Sequence, residues 1–137
     1  MKTIEGASLE ICPGERAILY VPIPPDTDVE ALDVDPATAA RFRIVRADFI
    51  SRDACHRETG VPGPAVRLEV ENVGPAPAPA RVFVDVEIAR GPEQARLERA
   101  AEEWNRQAHD LRAAPDEAAR ARLVAEILAG RQRRGQA

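Results

Sequence analysis

The adjacent residues Cys55 and His56 form the pair in the sequence best suited to chemistry. A thiol beside an imidazole can act as a nucleophile with its base, or as half of a metal site. The sequence has no Cys-x-x-Cys or His-x3-His spacing to complete such a site, and only Cys12 and His109 could add ligands of these types. Because a free cysteine usually behaves as a small apolar side chain, we predict no catalytic residue, metal or cofactor here.

A second candidate is a group of five carboxylates within ten residues: Asp26, Asp28, Glu30, Asp33 and Asp35. Alternating carboxylates are typical of calcium loops, but those loops also need a glycine turn and a bidentate acid at a fixed distance. Residues 26–35 contain no glycine, and Val, Ala and Leu intervene. The pattern therefore favours a solvated acidic loop, in which a short strand around residues 29–34 could form.

Arginines make up the third candidate. One group could line an anion-binding face and consists of Arg41, Arg43, Arg46, Arg52 and Arg57. Solvent-facing arginines that protect strand edges are the simpler interpretation. The C-terminal group consists of Arg131, Arg133 and Arg134 and is expected in a disordered end after Gly130. Three exposed charges give little affinity for nucleic acid at physiological salt.

No nucleotide-binding glycine loop, serine-hydrolase elbow or zinc-protease motif occurs, and Ser8 and Ser51 are the only serines. Aromatic residues make up 4% of the chain, which argues against stacking platforms for nucleic acid or sugars. The net charge of −4 comes from the first ninety residues, since the rest carries a charge of +1. These features argue against an enzyme and against a nucleic-acid partner.

The elements that position these residues are strands in the first ninety residues. The strongest pattern runs from Val66 to Ile88, where apolar and charged residues alternate on both sides of a proline-rich segment. It predicts a hairpin whose connection, residues 74–80, projects as a stiff tip. Further strands are expected in residues 2–12 and 16–21. Residues 52–64, which precede the hairpin, are expected to form a polar loop.

One more strand, in residues 40–51, changes the parity of its apolar residues part-way along, which is typical of a β-bulge. Six or seven short strands within ninety residues indicate a mainly β fold. We therefore predict an antiparallel β-sandwich, of which the jelly roll is one form, as a domain spanning residues 1–90.

Residues 91–137 form the second predicted unit, a helical hairpin or two-segment helical arm that begins after Gly91-Pro92 and restarts near Pro115. A heptad-spaced stripe on the first helix and apolar residues on the second are the candidate interface: Leu97, Ala101, Trp104, Ala108, Leu111, Val124 and Leu128. Neither helix is apolar enough to predict a core helix. A large aromatic on a narrow stripe is typical of an interface anchor.

The sequence thus favours a non-enzymatic, self-associating structural or assembly protein, such as a virion or other particle component. The alternative is an adaptor that binds another protein or a small ligand, with the helices packed on its own sheet so that Trp104 is buried within one chain. The two cysteines and the lack of a long apolar run predict a cytoplasmic protein, or one assembled into a particle there.

Overall fold

The computed structural model describes residues 2–5, 9–34, 41–88 and 91–136. Within these ranges, eight strands and three helices follow one another. The strands are β1 (Lys2–Glu5), β2 (Leu9–Ile11), β3 (Arg16–Pro22), β4 (Thr27–Val34), β5 (Phe42–Ile50), β6 (Ala65–Asn72), β7 (Ala78–Ala80) and β8 (Val82–Ile88). The helices are α1 (Arg52–Thr59), α2 (Gln94–Ala113) and α3 (Glu117–Gln136).

The eight described strands form three sheets, and all the pairings among them are antiparallel. Sheet A has the order β1-β8-β4, sheet B is the pair of β2 and β7, and sheet C has the order β3-β6-β5. The prediction of antiparallel sheets followed by two C-terminal helices is confirmed. The predicted bulge in β5 is also confirmed, because the register with β6 shifts between Ile44 and Arg46.

The predicted hairpin between residues 66 and 88 is wrong. Its first strand, β6, lies between β3 and β5, whereas its second strand, β8, lies between β1 and β4. The alternating pattern identified both strands and their buried faces, but it holds no information on which strands are neighbours.

The proline-rich connection is not a projecting tip. Ala78 and Ala80 are 1% exposed, because β7 pairs with β2 and both alanines pack in the core. The Asn72 side chain holds the start of this connection: its amide donates to Ile11 O at 2.8 Å and to Ala76 O at 2.9 Å, and its Oδ1 accepts from Gly74 N–H at 2.8 Å.

Helix α2 belongs to the core, contrary to the expectation that neither helix would. Five of its side chains are buried: Leu97, Ala101, Trp104, Ala108 and Leu111. They pack in one cluster with apolar residues of both three-stranded sheets. The helix contacts β4, the last strand of sheet A, and β5, the last strand of sheet C. It therefore bridges the two sheets.

Two further expectations need correction. Residues 52–59 of the predicted polar loop form α1, which begins with Ser51 Oγ accepting from Ala54 N–H at 3.1 Å and ends at Gly60 with φ at 80°. The predicted disordered end is also wrong, since α3 continues past Gly130 to Gln136. In these last turns, Arg131 and Arg134 form ion pairs with Asp33 of β4, and Arg134 also with Asp85 of β8.

Candidate functional site

The residues of the candidate thiol site do not come together as a catalytic pair. Cys55 is buried under sheet C with Ile50 and Ala65, while its neighbour His56 is exposed. The Cys55 Sγ lies 3.6 Å from Thr59 Oγ1 in the same helix. Within the described residues no group of three or more His, Cys, Asp or Glu side chains is placed to hold a metal ion.

The strand arginines lie on the outer face of sheet C, paired with acids. Arg16 Nε lies 3.0 Å from Glu71 Oε2, and Arg43 Nη2 lies 3.7 Å from Glu71 Oε1. The hydrogen bond from Arg16 lowers the pKa of Glu71. At the other end of the face, Arg67 Nη1 donates to Glu58 of α1 at 2.7 Å. Such pairs are ordinary for an exposed sheet face, and each of these three arginines lies beside an acid. Arg52 and Arg57 of the predicted group lie apart from them, exposed on α1.

The acidic segment is part of a sheet and is not a solvated loop. Strand β4 carries Asp28 and Asp33 at 0% and 3% exposure. Asp28 Oδ1 accepts from Glu93 N–H at the start of α2 at 3.1 Å, and Asp28 Oδ2 lies 3.3 Å from Arg96 Nη1. Its last acid, Asp35, lies outside the described residues. Asp28 therefore joins β4 to the start of α2.

A carboxyl pair lies beside these contacts. The hydrogen bond to Glu87 raises the pKa of Glu30, and partial burial adds to the rise. Arg96 lies between the two acids, 2.7 Å from Glu87 Oε2 and 3.8 Å from Glu30 Oε2. The arginine lowers the pKa of Glu30, but this effect is smaller than that of the neighbouring carboxyl group.

The predicted interface residues divide into two groups. The stripe on α2 is covered by the chain's own strands, with Trp104 1% exposed. On α3, Val124 is half-buried against the core and Leu128 is 46% exposed. The stripe is thus unavailable to a second chain while α2 stays packed.

The edge of sheet C at β5 is closed by side chains of α2. The Asn105 amide donates to Ile44 O and its Oδ1 accepts from Ile44 N–H, both at 2.8 Å. Gln94 acts in the same way further along, donating to Ala47 O at 2.7 Å and accepting from Phe49 N–H at 3.1 Å. These are the backbone groups that a further strand would need, so β5 cannot be extended.

The opposite edge of sheet C, at β3, is open. Asn72 N–H donates to Glu15 O, and Ile23 N–H donates to Pro64 O, both at 3.1 Å. Bonded residues alternate along an antiparallel pair, so the odd-numbered residues of β3 bond to β6. The N–H and C=O groups of Arg16, Ile18 and Tyr20 point the other way. Within the described part of the chain, β3 pairs with β6 alone.

The side chains along this edge make it attractive to another strand. Ile18, at the middle of β3, is 49% exposed on the outer face of the sheet. It lines a shallow cleft of about 270 Å³ with Arg46, Asp48, Arg67 and Glu69 of the same face. On the same face Tyr20 is half-buried, and its hydroxyl donates to Glu58 Oε1 at 3.0 Å. An exposed edge with a central apolar residue is the usual starting point for strand addition.

Sequence reasoning identified β3 and its two faces but did not single it out as an edge. For the other edge, at β5, the available signal is the pair of amides at Gln94 and Asn105, which are polar residues on the flank of an apolar stripe. Their positions are compatible with contacts to a sheet edge, yet nothing local shows which strand they would reach.

None of the helices in the described residues is long and apolar enough to cross a membrane. No protein-family model matches the chain, and no curated protein or solved structure is significantly similar to it.

Proposed function

We propose that the protein is a non-enzymatic, self-associating assembly module and that two copies join through their β3 edges. The observation that carries the proposal is the contrast between the two edges of sheet C. The β5 edge is bonded by α2 side chains, whereas the outward backbone groups of β3 have no partner within the described residues. In this proposal the two copies contact each other through the β3 edge and not through the apolar stripe on α2.

The β3 edge is complementary to itself. Two β3 strands related by a twofold axis at Ile18 would pair Ile18 with Ile18 of the second copy, and Arg16 with its Tyr20. In this register all three outward N–H groups and all three outward C=O groups of each copy find partners. If one strand slid by two residues toward its C-terminal end, Pro22 would lie opposite Arg16 of the second copy. Proline has no N–H to donate, so that register would lose hydrogen bonds.

The side chains favour the same register. Ile18 of each copy would cover the other, which removes from water an aliphatic side chain that is 49% exposed in one chain. Arg16 would lie across from a tyrosine ring, an arrangement that allows a cation–π contact. The product is a continuous six-stranded sheet, with both β5 edges closed by α2.

We propose that sheets A and C are the two layers of a β-sandwich, because apolar residues of both contribute to one core with α2. A role in a virion or other particle would use the same edge to join subunits.

One observation favours the adaptor alternative, namely that Trp104 is buried within a single chain. In that case the β3 edge would receive an extended strand of another protein by the same backbone bonds. The two functions differ in whether the purified chain associates with itself.

The test is the solution mass of the full chain, measured by light scattering on a sizing column over a range of protein concentrations. We expect a dimer that Ile18→Glu converts to a monomer, because two like charges would meet at the twofold axis. Leu128→Glu is the matched control, since Leu128 is 46% exposed on α3 and should leave the dimer intact. A chain that is monomeric at every concentration, or a dimer lost only with Leu128→Glu, would contradict the proposal.

A further inference from the structure

Helix α3 is attached to the rest of the molecule less firmly than α2. None of its side chains described through residue 134 is fully buried, whereas five of α2 are. Its apolar contribution is limited to Leu123, Val124 and Ile127, which are half-buried against the core. An element with few buried apolar contacts opens at low free-energy cost.

The last turns of α3 lie over the outer face of strands β4 and β8. Asp33 of β4 and Asp85 of β8 are 3% and 0% exposed on this face, and Phe83 pairs with Asp33 in the strand register. Arg134 bonds to Asp33, and its Nε lies 3.4 Å from Asp85 Oδ2. The Arg131 guanidinium lies 4.4 Å from the centre of the Phe83 ring, with its Nε 3.6 Å from Asp33 Oδ2.

These contacts fit a guanidinium group better than an ammonium group. A guanidinium is planar, can bond to two carboxylates at once and can stack on an aromatic ring. Two carboxylates this deeply buried are costly unless a cation lies against them. Burial lowers the pKa of Arg134, yet the group stays charged because an arginine pKa lies far above neutral pH.

We propose that the face formed by Asp33, Phe83 and Asp85 is a binding site for an arginine-bearing segment of a partner protein. In the isolated chain α3 occupies the site with its own Arg131 and Arg134. The charge of the site supports this occupant, because buried acids and a ring face together select an arginine and reject an anion. This site is separate from the β3 edge, so each proposal can fail without the other.

The experiment uses the full-length chain carrying Arg131→Ala and Arg134→Ala, titrated with a labelled synthetic peptide of residues 117–136 and followed by fluorescence anisotropy. We expect the peptide to bind this variant. Binding to the unmodified chain should be roughly a hundredfold weaker, because its own α3 competes at a high effective concentration.

Two altered peptides test the chemistry of recognition. A peptide with lysine in place of both Arg131 and Arg134 should bind about tenfold more weakly, the change expected when one charge-assisted hydrogen bond is lost. A peptide with Arg133→Ala is the matched control and should bind normally, because Arg133 is exposed on α3. Equal binding of the lysine peptide would overturn the proposal, as would failure of the unmodified peptide to bind.

A second variant covers the case in which the double arginine variant does not fold. Leu123→Ala with Ile127→Ala loosens α3 and leaves the face itself untouched. This variant should bind the peptide more tightly than the unmodified chain does. A further change, Phe83→Leu, should then weaken binding. If loosening α3 gives no gain in binding, the face is only an internal contact and the proposal is wrong.

Discussion

At the scale of single residues, the side chain of Asn105 decides which edge of the molecule is available. Its amide satisfies both the N–H and the C=O of Ile44, at 2.8 Å each. A backbone group on a strand edge that bonds to its own chain cannot bond to another. One amide therefore has two effects, since it ties α2 to β5 and removes β5 as a site for strand addition.

Asn105→Ala should lower the free energy of unfolding by about 1–3 kcal/mol, because it leaves a partly buried donor and acceptor without partners. Urea unfolding followed by circular dichroism measures this change. The control is Gln107→Ala on the same helix, where the side chain makes only a long bond of 3.4 Å to Glu103 and the expected change is within about 0.5 kcal/mol. Equal effects of the two substitutions would show that the Asn105 amide does not close the edge.

The carboxyl pair of Glu30 and Glu87 gives a pH dependence with a definite sign. Hydrogen bonding to Glu87 raises the pKa of Glu30 above its ordinary value of 4.5. The contribution of Glu30 to stability is then fully present below pH 4.5 and is lost as the pH rises through the raised value. The loss follows from the charge that the carboxyl group must acquire beside another acid.

Glu30→Gln should therefore raise the melting temperature relative to the unmodified chain at pH 7 and have little effect near pH 4. Thermal unfolding over this pH range measures the difference. The effect should shrink when Glu87 is already glutamine, because Glu87 is the main cause of the raised pKa. A glutamine variant that is less stable at pH 7 would mean that Arg96 dominates the site.

At the scale of elements, the sequence predicted the secondary structure of each segment better than its contacts with other segments. The strand at residues 16–21, the bulge in β5 and the restart of the helix near Pro115 were all found, because side-chain periodicity and proline are local signals. The pairing of β6 with β3 and β5 was missed. Periodicity shows which face of a strand is apolar, but β3, β6 and β8 all bury the same kinds of aliphatic side chain, so it does not show which strands are neighbours.

The wrong predictions about the helices and about the acids of β4 have the same cause, namely contacts between residues far apart in the sequence. The stripe on α2 looked too narrow for a core helix, yet it fills the space between two sheets whose positions the sequence does not reveal. The acids of β4 looked solvated because their arginine partners lie up to 101 residues away in the chain. Ion pairs at that separation leave no local trace, so the sequence could predict the charges but not the contacts.

At the scale of the whole molecule, the two C-terminal helices have unequal roles. Helix α2 fills the core and closes β5, whereas α3 is held by half-buried apolar residues and by its arginines. Burial of a large side chain such as Trp104 contributes about 3–5 kcal/mol, which is a substantial part of the stability of a domain of this size. The strands should therefore depend on α2 and tolerate the loss of α3.

Two shortened chains test this dependence, one ending at Gly91 and the other at Ala113. The first loses every side chain of α2, so its core is open on one side and the β5 edge is bare; we expect it to unfold or aggregate. The second keeps α2 and should give a cooperative melt and the strand signal of the full chain by circular dichroism. The chain ending at Gly91 is the decisive one. If it folds, the strands form a core of their own and the α2 stripe is free to bind elsewhere. In that event the interface would return to the helices, and Ile18→Glu should leave the mass of the full chain unchanged.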